Sequence, residues 1–424
     1  MKAALRQWPL RAYMRVFKGV IKILPFRWPT VHEGENATST LIDEIADAGY
    51  QRILLVTDQG VQKLGLTNLV REAAEARNLQ LSIYANITSD PTIELITTAV
   101  EDVRDLNAEA IIAVGGGSVL DAAKMIGALL KTKKPIIKLV GLFKVRKGML
   151  PLYAVPTTAG TGSEATVAAV VSDPRKMRKL SILDLKLMPT AVALDPAMTM
   201  GLPPAITAAT GLDALTHAIE AYLSRNALLR TDELALQAAR LINSWLPKAY
   251  AKGDNLEARQ QMAKAAMYAG QAFTQAGVGY VHAIAHNLGA RYHIPHGLAN
   301  AMLLPTVLEF SKPDCSRRMA DLSRAMGLNS ADGRSDDTAL AEALIERVRQ
   351  LNQRFAIPDY IEQLREEDIA SIIRAARSEA RFTYAVPRYI NQQQGEALLR
   401  SLLPNSASND AANTATEDAT TDSA

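Results

Sequence analysis

The amino-acid sequence predicts two units in series, an α/β unit with a parallel sheet covered on both faces and then an all-helical unit. Three observations carry this. From Pro29 onward, short apolar runs alternate with amphipathic helical runs, the pitch of strand–helix–strand crossovers. The strand signals stop at Pro203-Pro204. From there to about Leu403 the apolar residues keep a helical period. At 424 residues, with 48% apolar side chains, the chain has material for two such cores.

Residues 1–28 stand apart as a basic amphipathic extension. They carry seven Lys and Arg, from Lys2 to Arg27, and the first acidic residue is Glu33. Read as a helix after Pro9, Leu10, Met14, Phe17, Ile21 and Leu24 share one stripe, with Arg11, Arg15, Lys18 and Lys22 beside it. Such a helix packs on its own protein, docks on another subunit, or lies on an anionic membrane surface. The stretch lacks the apolar run and cleavage site of a secretory signal.

The α/β unit is expected over residues 29–203. A helix ends at Gly49, and Arg52–Asp58 reads as a buried strand. LVREAAEAR is helical, Leu81–Asn86 a strand, and a helix follows with Pro91 in its first turn. AIIAVGG is a third strand, running into Gly116-Gly117-Ser118 and a helix; LYAVPT is a fourth. KLSILD and TAVALDP add two short strands. The helical unit is expected over 204–403. Residues 404–424 lack large apolar side chains and read as a disordered tail.

Two turns suit a phosphate. GGGS between strand and helix points backbone N–H groups and a positive helix end at an anion, with Ser118 able to cap the helix. Thr157, Thr158 and Thr161, set among glycines after the fourth strand, offer hydroxyls to phosphate or ribose. Asp58, at the carboxyl end of the first strong strand, suits ribose hydroxyls and repels a 2′-phosphate. That favours NAD over NADP.

Five of the six histidines lie between Thr210 and Asn300. Asp213 and His217 are four apart, as are His282 and His286, so each pair shares a helix face. Asp213, His217, His282 and His296 are the candidate metal ligands, with His286 and His293 in reserve. Imidazoles and a carboxylate without thiolate suit Fe(II) or Zn(II). A metal that binds an oxygen, next to a dinucleotide cradle, suggests hydride transfer with an alcohol or carbonyl.

AIIAVGGGSVLDAAK, AVPTTAGTGSEAT, GLDALTHAIEAYLS and GYVHAIAHNLGARYHIPHGLANAMLLP resemble, in order, the motifs of the iron-containing (group III) alcohol dehydrogenases. The resemblance implies a Rossmann-like NAD-binding domain and an all-helical metal-binding domain, a dehydroquinate synthase-like arrangement. It implies Asp213, His217, His282 and His296 as metal ligands and His286 as proton relay. Gly116, Gly117, Ser118, Thr157, Thr158, Thr161, Lys179 and Asp58 then hold NAD, and Phe273 lines the substrate pocket. The expected activity is a metal-dependent, NAD-linked alcohol dehydrogenase or aldehyde reductase on small substrates. A polyol dehydrogenase or hydroxyacid–oxoacid transhydrogenase on the same fold is the alternative.

Other classes fit less well. A net charge of +3 and 5% aromatic residues argue against nucleic acid. A metal hydrolase needs no dinucleotide cradle, and a dianionic substrate needs more cations than Arg291. The lone Cys315 excludes an internal disulfide and fits a cytoplasmic setting, with peripheral membrane contact through residues 1–28 as an addition. A homodimer is the expected assembly. The basic segment 131–148, like the basic start and the tail, counts against a plain cytosolic setting and does not touch the active site.

Overall fold

The computed structural model describes residues 12, 14–16, 18–176, 178–330 and 333–404. Leu10 and Phe17 of the expected amino-terminal stripe lie outside these residues, as does the tail from 405.

Six strands form the main sheet: β1 (Thr30–Glu33), β2 (Arg52–Asp58), β3 (Gln80–Ile87), β4 (Ala110–Gly115), β6 (Leu152–Pro156) and β9 (Ala191–Leu194). They are all parallel, in the order β1-β9-β6-β4-β2-β3. The reason lies in composition. Leu54, Leu55 and Val56 of β2 and Ile111, Ile112 and Val114 of β4 have no exposed surface, so both sheet faces must be covered. Each such side chain contributes about 1.5–3 kcal/mol by leaving water. Helices α1 (Ala37–Asp47), α2 (Gln59–Lys63), α3 (Leu66–Ala76), α4 (Ile93–Val103) and α5 (Gly117–Leu130) supply the cover.

A smaller sheet was not foreseen. It joins β5 (Gly141–Leu142), β7 (Ala168–Asp173) and β8 (Arg178–Leu183) in the order β5-β8-β7, with β7 and β8 antiparallel. The KLSILD strand therefore belongs to this sheet rather than to the parallel one. Two local expectations also change. Thr92, whose hydroxyl accepts from Leu95 N at 3.1 Å, caps α4, which puts Pro91 before the helix. Gly116 occupies the N-cap of α5 without a side-chain bond, so Ser118 is not the cap.

The second half is helical: α6 (Pro204–Leu223), α7 (Leu229–Ala251), α8 (Leu256–Ala276), α9 (Tyr280–Tyr292), α10 (His296–Met326), α11 (Asp337–Arg354), α12 (Glu366–Thr383) and α13 (Gln392–Arg400). The long α10 is kinked at Cys315 (φ −147°), two residues after Pro313, where the ring removes a helical N–H. Helical backbone among residues 12–23 packs Met14 and Ile21 against the body, and Lys18 Nζ donates to the Arg225 carbonyl at 3.2 Å. Among the described residues no helix is long and apolar enough to cross a membrane.

The sheet's strand order reverses between β2 and β4. In open α/β sheets the strands' carboxyl ends at such a reversal form the crevice where ligands bind. The loop after β6 faces that crevice and also touches the helical half through glycine. A Cβ at Gly160 would lie 2.7 Å from Thr210 Cβ on α6, and one at Gly162 would lie 2.6 Å from Gly270 Cα on α8. Gly162 is also left-handed, at φ +62°. We expect Gly162→Ala to cost about 3 kcal/mol, from backbone strain and overlap together. Urea unfolding measures this. A loss near zero would mean the two halves tolerate being pushed apart.

Candidate metal centre and cofactor crevice

Asp213 and His217 lie one turn apart on α6 and are buried, at 2% and 5% exposure. His282 projects from α9, and His296 is the first residue of α10. Between these helices His293 adopts a left-handed conformation (φ 57°) and its N–H bonds the Gly289 carbonyl, ending α9. His293 is thus a helix terminator. Gly297 lets α10 close on α6, since a Cβ there would lie 2.4 Å from the Ala209 carbonyl oxygen.

The result is a convergence. Asp213, His217, His282 and His296 each offer one ligand atom, and these atoms all lie within 4.8 Å of one another. Asp213 Oδ1 is 4.0 Å from His217 Nδ1, 3.8 Å from His282 Nε2 and 3.6 Å from His296 Nε2. Ligand bonds of about 2.1 Å put tetrahedral ligand atoms roughly 3.4 Å apart, so the set needs only a slight contraction around a first-row divalent ion. The buried His217 Nδ1 has no hydrogen-bond partner, as a nitrogen reserved for a metal requires. The Asn300 amide nitrogen sits among the same atoms, 2.7 Å from Asp213 Oδ1 and 3.2 Å from Nε2 of both His282 and His296. Burial holds His282 and His296 well below the usual imidazole range, which keeps both neutral with a lone pair available.

Glu220 orients this set. It lies 2.6 Å from His282 Nδ1 and accepts from the N–H groups of Gly279 and Val281, both at 2.8 Å. With Nδ1 donating to Glu220, Nε2 of His282 is left to face the centre. Burial pushes the Glu220 carboxyl up to about 7 against the pull of those N–H groups. His286 lies outside the ligand set and stacks on His296 with ring centroids 5.3 Å apart. Its Nδ1 is 2.8 Å from Glu379 Oε1, which also accepts from the Tyr384 hydroxyl at 2.7 Å. Phe273 stacks on the His217 ring at 4.3 Å. Arg291 is bound to Asp368 and Ser371 at the surface, which takes it out of consideration as an anion-binding group.

In the crevice the two turns interlock. Thr158 packs on Gly116, and a Cβ at Gly117 would lie 2.6 Å from Thr161 Cγ2. Thr157 N donates to the Gly115 carbonyl at 3.0 Å. The Ser118 hydroxyl accepts from Asp90 N at 3.2 Å, and Lys179 Nζ pairs with Asp90 Oδ1 at 3.0 Å. Asp58 caps α2, accepting from Val61 N at 2.9 Å through one carboxylate oxygen. The threonine loop is held from below by Lys124, which is fully buried. Its ammonium donates to the Ser163, Thr166 and Ala168 carbonyls and to the Ser163 and Thr166 hydroxyls, at 2.7–3.1 Å. Burial lowers Lys124 to about 8, opposed by Asp121 and Glu164.

Residues 29–196 match the family model of iron-containing alcohol dehydrogenases, and residues 207–403 match the model of that family's carboxy-terminal part. The chain belongs to the iron-containing alcohol dehydrogenase family. It is 39% identical over 333 residues to alcohol dehydrogenase 4 of Saccharomyces cerevisiae, covering 78% of this chain and 85% of that one. It is 35% identical over 372 residues to the NAD-dependent methanol dehydrogenase of Bacillus methanolicus, covering 87% and 97%. The solved structure of a 1,3-propanediol oxidoreductase superposes with a TM-score of 0.85 at 34% identity, covering 90% of this chain and 100% of that one.

Several residues of the enzyme's centre escaped sequence reasoning. Glu220 had a signal, standing three residues after His217 and seven after Asp213 on one helix face. Asn300, four after His296, had the same kind of signal. Asp121 and Lys124 follow the glycine turn at helical spacing but read as an ordinary helix. Glu379 and Tyr384 had none, being 93 or more residues from His286. We expect Glu220→Ala to weaken metal binding about 10–100-fold, because His282 loses the partner that fixes its tautomer. Metal titration of the apo-protein measures this. Unchanged affinity would reduce Glu220 to a structural acceptor for the Gly279 and Val281 N–H groups.

Proposed function

We propose that this alcohol dehydrogenase is NAD-linked and metal-dependent, acting on small primary alcohols or diols and their aldehydes. Residues 29–203 serve as the NAD-binding unit and 204–403 as the metal-binding unit. The observation that carries the reading is the convergence of Asp213, His217, His282 and His296 beside the glycine–threonine crevice. Lys179 bridges the two: it pairs with Asp90 in the crevice while its charge acts on His296.

In this reading Asp213, His217, His282 and His296 hold Fe(II), with Zn(II) equally acceptable to a nitrogen–oxygen donor set. A metal held there would supply Lewis acidity toward an alcohol or carbonyl oxygen, and a bound nicotinamide would supply the hydride acceptor or donor. The protein's own residues do the rest. N–H groups at Gly116 and Gly117 and the positive end of α5 receive the pyrophosphate. Ser118, Thr157, Thr158 and Thr161 add hydroxyl contacts. Asp58 keeps one carboxylate oxygen for ribose hydroxyls while the other caps α2, and Lys179 reaches the nicotinamide ribose. Phe273, stacked on His217, walls the substrate side.

His286 moves the proton. Its Nδ1–H is engaged by Glu379, so Nε2 is the atom that accepts a proton from the alcohol. Glu379, with its side chain 30% exposed, connects that ring to solvent. Arg291, the one arginine the sequence offered near the motifs for a dianionic substrate, is committed to Asp368.

The amino-terminal extension supports a separate, peripheral contact. Among the described residues of this extension Met14 and Ile21 face the body while Val16 and Ile23 are 69% and 79% exposed, beside Arg15 and Lys22.

The test follows NADH absorbance with apo-protein reloaded with Fe(II) or Zn(II), against a panel of alcohols and aldehydes. Metal-dependent turnover is expected, and its absence across the panel would overturn the reading. His282→Ala should lose metal and activity together. His286→Ala should keep the metal and lose rate roughly a hundredfold or more. Loss of metal from the His286 variant would mean the ligand assignment is wrong.

A further inference from the structure

We propose that the segment between Lys131 and Gly148 is a docking surface for an anionic lipid bilayer, independent of the amino-terminal helix. The segment lies between α5 and β6 and contains none of the residues assigned to the reaction. It holds seven Lys and Arg, and no acidic residue occurs between Asp121 and Glu164. Among the described residues none of the seven makes an ion pair. The whole chain is only +3, so with this segment and residues 1–28 set aside the remainder is acidic. The positive charge is local.

Charge alone would suit any polyanion. The apolar groups decide the class. Ile137, Leu142 and Phe143 are 44%, 44% and 47% exposed, set among Lys138, Lys144, Arg146 and Lys147. They are not the ends of a slack loop. Ile136, Leu139 and Val145 are buried alternately with them and anchor the segment. The backbone is pinned as well: β5 pairs with β8, Phe143 N donates to the Leu183 carbonyl at 2.8 Å, and Val145 N donates to Asp184 Oδ2 at 2.8 Å. Lys186 Nζ closes the far side, donating to the Arg146 carbonyl at 2.6 Å.

Phe143 itself is held at φ +56°, a left-handed conformation that a bulky side chain rarely adopts. An exposed aromatic residue kept in an unfavourable backbone state gains nothing for folding. At a bilayer interface the same arrangement places an aromatic ring and two aliphatic tips at headgroup depth, with lysines reaching the phosphates around them. A second copy of the chain fits poorly, because two such surfaces repel. Duplex nucleic acid would match the cations but would leave Ile137 and Leu142 without an apolar environment.

The experiment is cosedimentation of the full chain with phosphatidylcholine vesicles, with and without phosphatidylglycerol. Binding is expected only to the anionic vesicles and should weaken with salt. Combined Ile137→Ser, Leu142→Ser and Phe143→Ser substitution should lower the vesicle association constant about tenfold and leave NADH turnover unchanged. Phe143→Gly separates binding from folding. Glycine suits the left-handed backbone, so this variant should melt higher yet bind vesicles more weakly. A parallel variant with serine at Val16, Val20 and Ile23 isolates the amino-terminal helix. The proposal is overturned if the loop variants bind as the parent does, if only the amino-terminal variant loses binding, or if the loop retains duplex DNA and ignores vesicles.

Discussion

The constraint on which this structure depends is the cost of placing three imidazoles and a carboxylate inside an apolar helical bundle. Unpaired, each would be expensive to bury. The surroundings answer with fixed partners. Glu220 lies against His282 Nδ1, and the Asn300 amide donates to Asp213 and lies 3.2 Å from Nε2 of both His282 and His296. Those partners come from helices α6 and α10, and their demands fix how these helices meet α9. The close approach at Gly297 and the left-handed turn at His293 are consequences of bringing α10 onto α6 with His296 facing inward.

The α/β half is tied to this bundle through close backbone approaches as well as through side chains such as Met267 and Lys264. Gly160 against Thr210 and Gly162 against Gly270 leave no room for a Cβ, so the threonine loop is seated directly on α6 and α8. The buried Lys124 ammonium collects four oxygens of the same loop and the Ala168 carbonyl at the start of β7, a charge-assisted clamp. One loop thus belongs to both halves. Hydride transfer requires donor and acceptor to be held within contact distance, and a loop seated against both halves suits that need.

In the proposed reading, proton handling and metal holding are kept apart by the same geometry. His282 and His286 are four residues apart on α9, yet one meets a buried carboxylate and the other a partly exposed one. Burial excludes the charged form of His282, which suits a ligand. The contact of Glu379 with solvent gives His286 an exit for a proton. The difference lies in what packs against each ring.

Much of this was legible in the linear chain. The apolar runs of β2, β4 and β6, the glycine turn and the four-residue spacings of Asp213–His217 and His282–His286 are local patterns, and local patterns follow from helix and strand periodicity alone. The antiparallel β7–β8 pair was not legible, because AAVVSD is too short to be told from a loop and its partner matched a parallel strand equally well. Nor were Glu379 and Tyr384, whose approach to His286 depends on how α12 docks on α9. The sequence by itself determined which residues share a face, and so which chemistry the chain could carry. Only the tertiary structure decided which nitrogen of each histidine faces the centre, which carboxylates are buried and where the two halves touch. Desolvation and packing act across the chain, and spacing along it does not encode them.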